Sequence, residues 1–167
     1  VADHSIFTTE VPSGHDFYEA SGITLATSFY TKVDTIVDAS RWWSSATYRL
    51  GTYELVLFEA TAEDVPTGNG EGTVIGSVLA SNNAHDFPDD QWTSWYDFPA
   101  PIRVRGHQTY KIGLRSSVGA YTATNSFFDS HENNNGDIVA PATGEFRADA
   151  VQGGGGSIYN GSYTPDI

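Results

Sequence analysis

The 167-residue chain contains no cysteine and no methionine, and only 8 lysines and arginines stand against 21 aspartates and glutamates. Without cysteine there is no disulfide framework, no thiolate metal site and no cysteine nucleophile. The shortage of bases leaves a formal net charge of -13. That sets nucleic acid aside as a partner, because phosphate contacts need clustered Lys and Arg. Such an acidic balance suits the solubility of an extracellular module or of a repeated assembly. No apolar run approaches the roughly 20 residues of a membrane span, and the first residues carry neither the basic nor the apolar stretch of a secretory signal. No membrane partner is expected. Methionine is missing even at position 1, which fits an initiator removed before Val1, a valine-coded start or a processed precursor. The first two favour synthesis in the cytoplasm.

Groups for catalysis are equally thin. The five histidines, His4, His15, His85, His107 and His131, are scattered singly, with neither the HExxH nor the His-x-His spacing that puts two ligands on one metal. There is no Gly-x-Ser-x-Gly elbow. Adjacent acids such as Glu63-Asp64 and Asp89-Asp90 fall in turn-rich stretches and read as solvent-facing. The run DSHENNNGD at 129–137 has the oxygen-rich, glycine-turned character of a calcium loop but lacks the spacing and closing glutamate of an EF-hand. It reads as a loop. The expectation is a protein with no catalytic residues, no cofactor and no metal ligands.

What is present is alternation. In FPAPIRVRGHQTYKIGLRSSVGAYTATNSFF, at 98–128, Ile102 and Val104 share one face of a strand, Tyr110, Ile112 and Leu114 share one face of a second, and Tyr121 and Ala123 share one of a third. Similar runs predict strands at 23–31, 35–43, 52–60, 73–80, 92–98, 102–104, 108–115 and 121–124. The runs between them, TAEDVPTGNGEG and NNAHDFPDD among others, are loop-like. No sustained 3.6-residue period occurs. The reading is an all-β, antiparallel sandwich of about eight strands in one domain, preceded by an N-terminal arm at 1–22, built from 23–128, and followed by a Gly/Asn-rich C-terminal extension at 129–167. The tetraglycine at 153–156 reads as a hinge in that extension.

The aromatic residues, 13% of the chain, are its chief chemical resource. Trp42 and Trp43 are neighbours on a strand and must point to opposite faces, as must Trp95 and Tyr96. One of each pair belongs in the core. The other, with Tyr48 and Trp92, is the candidate for an exposed platform that meets a sugar ring or a neighbouring subunit.

These segments also carry a resemblance. The stretch SGITLATSFYTKVDTIVDASRWW, closing on Arg41, Trp42 and Trp43, is followed by Gly51-Thr52-Tyr53 at the head of the next strand. The signature Pro-Ile-x-Val-x-x-Gly-x-x-Tyr-x-Ile-x-Leu then spans 101–114. Over roughly 7–128 the chain resembles the DUF4082 type of β-sandwich module. The resemblance implies a jelly-roll-like shape similar to that of carbohydrate-binding domains, with no family-wide catalytic residue. It also implies a setting in bacterial surface proteins or in virion and tail proteins of phages of actinobacteria. Family members usually finish with an aromatic-rich closing strand, whereas this chain passes through four glycines. The expected role is therefore a non-enzymatic virion structural protein: head-decoration, minor capsid or minor tail. Its partners would be copies of itself or other capsid or tail proteins. The alternative is a carbohydrate-binding module facing a host-surface glycan, located on a phage adhesin or at the cell surface.

Overall fold

The structure is a computed structural model and describes residues 4–7, 15–18, 23–44, 52–59, 72–74, 77–84, 88–117, 120–125, 132–141, 145–148, 154–159 and 163–165. All of its regular elements are strands: β1 (His15–Tyr18), β2 (Ile23–Thr31), β3 (Thr35–Ser40), β4 (Trp43–Ser44), β5 (Tyr53–Glu59), β6 (Gly72–Val74), β7 (Ser77–Ala84), β8 (Gln91–Trp92), β9 (Tyr96–Val104), β10 (Thr109–Ser116), β11 (Ala120–Asn125), β12 (Asn133–Asn135), β13 (Ile138–Ala140), β14 (Glu145–Ala148), β15 (Gly154–Tyr159) and β16 (Tyr163–Pro165). The expected all-β, antiparallel sandwich is what forms. It has more strands than the eight expected, chiefly because the segments at 1–22 and 129–167 add β1 and β12 to β16.

The largest sheet has the order β6-β15-β14-β2-β10-β5-β7, with the β12–β13 hairpin joined to the same edge of β2 as β14. Its central register aligns Leu114 with both Leu25 and Leu55, and Ile112 with Thr27 and Leu57. One face of these strands therefore presents Leu25, Phe29, Tyr53, Leu55, Leu57, Tyr110, Ile112 and Leu114, all buried in one cluster. Against it lie Trp42, Tyr96, Phe98 and Val104, the last three from β9, which pairs with β3. Ile102 is half-buried at the margin of that core. Alternation thus places its apolar face as the sequence indicates.

The second face of the central strands is covered as well. Ala26, Val56, Phe58 and Lys111 are all within 1% of complete burial. This explains why β5 reads as a continuous apolar run, LVLF, rather than an alternating one. Gly113 sits in the middle of this face. A Cβ there would lie 2.7 Å from the Leu25 carbonyl oxygen and 3.1 Å from the Phe58 ring, so only glycine lets the strands close.

Three expectations change. The segment 129–167 is not simply an extension: β13 and β14 pair with β2, β15 pairs with β14 and β6, and β16 pairs with β11. Pro141 lies where the chain leaves β13 before resuming against β2 as β14. Glycines 154–156 lie within β15 rather than in a hinge, since backbone pairing needs no side chain. The arm at 1–22 likewise contributes β1, paired with β11, and buries Ile6 and Phe7 in the core. Finally, the runs expected at 92–98 and 102–104 join in β9, whose register against β3 shifts between Val37 and Ala39. Pro99 and Pro101 have no N–H to give the ladder there.

Candidate functional site

Beyond Ser40 the chain leaves β3 and makes a two-residue ladder, β4 with β8, that pairs Trp43 with Trp92. Trp42 is locked just before it. Its N–H donates to Thr93 Oγ1 at 3.3 Å, and its carbonyl accepts from the Thr93 N–H at 2.9 Å. Extended backbone then sends neighbouring side chains to opposite sides. Trp42 goes inward, 4% exposed, and stacks on Tyr53 (5.9 Å, 13°) and on Tyr96 (5.8 Å, 18°). Trp43 is half-buried and meets Trp92 edge-on, with ring centroids 5.7 Å apart at 87°. The same alternation buries Tyr96 and leaves Trp95 52% exposed.

Of the six candidate aromatics, Trp42 and Tyr96 are thus core residues. Trp43, Trp92 and Trp95 form a surface group. Tyr48 lies outside the described residues.

The residue that joins this group is Arg41, which the aromatic pattern alone does not single out. Its guanidinium carbon lies 4.8 Å from the Trp92 ring centroid and 4.5 Å from that of Trp95. A planar cation shared by two indoles holds both rings in place. Arg41 Nη2 also donates to the Phe7 carbonyl at 3.2 Å, and the Phe7 ring stacks on Trp92 at 5.8 Å and 25°. One sequence signal was available: an arginine directly preceding two tryptophans in a chain with only 8 basic residues.

The segment bearing Phe7 is held from the other side. Asn135 Nδ2 donates to the carbonyls of Ser5 (3.0 Å) and Ile6 (2.6 Å), and Asn133 Nδ2 donates to Ile6 O at 3.3 Å. Both asparagines sit in β12, within the run expected to be a loop. Its turn carries Gly136 at φ 67°, as a tight hairpin requires, and the His4 imidazole packs over that glycine. The turn is tied to the end of β2 by Lys32, whose Nζ donates to Asn134 Oδ1 (2.8 Å) and Gly136 O (2.6 Å).

In sequence the group is flanked by the exposed acids Asp89 and Asp90 before β8 and Asp97 beside Tyr96, with the uncharged Gln91 and Ser94 exposed between them. Asp90 adopts φ 47°, which turns the chain into β8. Beneath the group, burial raises the Tyr53 phenol above its ordinary range, and a hydrogen bond with Ser116 offsets part of that. Among the described residues no three His, Asp or Glu side chains come together as a metal site. What the arrangement presents at the surface is indole area held by one guanidinium.

An antiparallel all-β sandwich carrying a Trp/Arg surface group defines a β-sandwich module. More particularly, the chain belongs to the DUF4082 family, a domain of unknown function, whose model matches residues 9–164. The match runs through both of the boundaries expected at 22 and 128, in keeping with the strands that both ends contribute. No curated protein matches the chain.

Proposed function

We propose that this chain is a non-enzymatic interaction module of a larger assembly, and that Trp43, Trp92 and Trp95 with Arg41 form its contact surface. The observation that carries the reading is the shared guanidinium. Arg41 fixes two indoles while half of the Trp95 surface stays open. Trp and Arg are the residues that most often dominate protein contacts, and rings already immobilised lose little freedom on binding. The chain's net charge of -13 favours a partner surface with a basic rim. The setting proposed is the virion of a tailed phage, as a head-decoration, minor capsid or minor tail protein. That part rests on the family resemblance alone.

A second reading, a carbohydrate-binding module of a phage adhesin or bacterial surface protein, is favoured by the exposure of Trp95, whose open indole could receive one sugar ring. The edge-on meeting of Trp43 and Trp92 counts against a long flat platform. Quantitative mass spectrometry of purified particles from the host of the encoding genome tests the first reading. A fixed copy number that falls when Trp95→Ser is introduced supports it. Particles without the chain, together with a glycan-array signal abolished by the same substitution, favour the second.

A further inference from the structure

Asn135 stands 130 residues from Ser5, whose carbonyl it binds. The contacts nevertheless run without a gap from Asn135 to the exposed indole. Its amide holds the carbonyls of Ser5 and Ile6. Ser5 Oγ donates to the Phe7 carbonyl at 2.6 Å, and that same carbonyl accepts from Arg41. Arg41 in turn lies over Trp92 and Trp95, and the Phe7 ring stacks on Trp92. Ile6 and Phe7 are only 7% and 4% exposed, so the strap formed by residues 4–7 is seated in the core rather than laid across it.

From this geometry we infer that Asn135 is a positioning residue for the surface group: by seating the 4–7 strap it fixes the carbonyl and ring that orient Arg41, Trp92 and Trp95. The strap is therefore a device that couples the N-terminal segment and the β12–β13 hairpin to recognition. If the strap is loosened, the guanidinium loses a backbone acceptor and Trp92 loses a stacking partner, while Trp42 keeps its own stack on Tyr53 and Tyr96. A partner or a protease that drew the strap away would disorder the patch and also take Ile6 and Phe7 out of the core they share with Trp42. The importance of the patch for binding rests on the function proposed above; the mechanical coupling does not.

The test uses the full chain labelled with 5-fluorotryptophan, which gives one fluorine signal for each of the 4 tryptophans. Asn135→Asp keeps the side-chain volume and removes the amide donor. The expected result is a shift or broadening of the Trp92 and Trp95 signals with the Trp42 signal unchanged, and restoration towards the original spectrum in Asn135→Gln. Unchanged Trp92 and Trp95 signals, or a Trp42 signal that moves as far as theirs, overturns the inference. Should the variants not fold, hydrogen exchange on the unaltered protein decides. Protection at 4–7 and at 91–95 should be lost together below the global unfolding midpoint, and independent loss overturns the coupling. Since no ligand enters these readouts, spectral coupling without any effect on binding would sink the proposed function and leave this inference standing.

Discussion

The guanidinium of Arg41 lies 4.5 Å from the ring centroid of Trp95, an indole that is half exposed. The order of this surface therefore depends on a cation outside the aromatic set. Removing it should cost both stability and rigidity. Arg41→Ala forfeits cation–π contacts worth ~0.5–2 kcal/mol and a hydrogen bond worth ~1 kcal/mol. Urea denaturation should show a net loss of about 1–3 kcal/mol, and the Trp95 emission should shift to the red. Arg41→Lys should recover only part, because an ammonium cannot lie flat against two rings. Full recovery by lysine would mean that charge alone matters.

In the central sheet, Gly113→Ala should destabilise by about 1–3 kcal/mol, the usual range for overpacking, because the new methyl meets the Leu25 carbonyl and the Phe58 ring. Leu114→Ala, one residue on and facing the other way, should cost about 2–5 kcal/mol by leaving a cavity. Chemical denaturation of both variants checks the pair. A neutral Gly113→Ala would show that β2, β10 and β5 are less closely apposed than described.

Much of this was legible. β2 and β10 fall within one residue of the runs at 23–31 and 108–115, β10 because its alternation is unbroken and β2 because Ile23, Leu25 and Phe29 mark one face despite Thr27 between them. That Trp42 and Trp43, and Trp95 and Tyr96, face opposite sides follows from strand geometry; which of each pair is inside does not, and is set by packing against Tyr53 and its neighbours. The pairing was not legible. β9, β10 and β11 follow one another in sequence yet join β3, β2 with β5, and β1 with β16, since partners are chosen by long-range burial and not by adjacency. Nor was Arg41, whose role depends on the seam where Trp42 meets Thr93, 51 residues away. Asn133 and Asn135 looked like loop because their short strand spends its side-chain amides on the backbone of the strap, which polar composition cannot reveal.

The closing strands provide a third check. Truncation after residue 150 removes β15 and β16 and with them the partners of β14, β6 and β11. The truncated chain should melt at a lower temperature and be cleaved faster by protease at the same enzyme ratio. An unchanged melting temperature would return 151–167 to the status of an appendage.

Tyr53 gives a pH signature. Burial is the first cause of its raised pKa, with the Ser116 hydrogen bond acting in the opposite sense. The neutral phenol is thus favoured in the folded state. A raised folded value means that this contribution is fully present below the ordinary tyrosine pKa of about 10. It is lost as pH climbs through the folded value, because the unfolded chain releases its proton first. Denaturation midpoints from pH 8 to 11.5 should fall more steeply for the unaltered protein than for Tyr53→Phe. Parallel curves would place the phenolate in water.

The central claim, that the indole and guanidinium surface is where this module meets its partner, is tested most directly by placing a photo-cross-linking phenylalanine derivative at position 95 and irradiating the assembly proposed above. The account predicts a protein adduct, to a second copy of the chain or to another structural protein of the assembly, that is lost when Arg41→Ala is added. Irradiation that yields no protein adduct from position 95, while probes at the exposed Ile36 or Val78 cross-link efficiently, would contradict it and move the contact surface to another face of the sandwich.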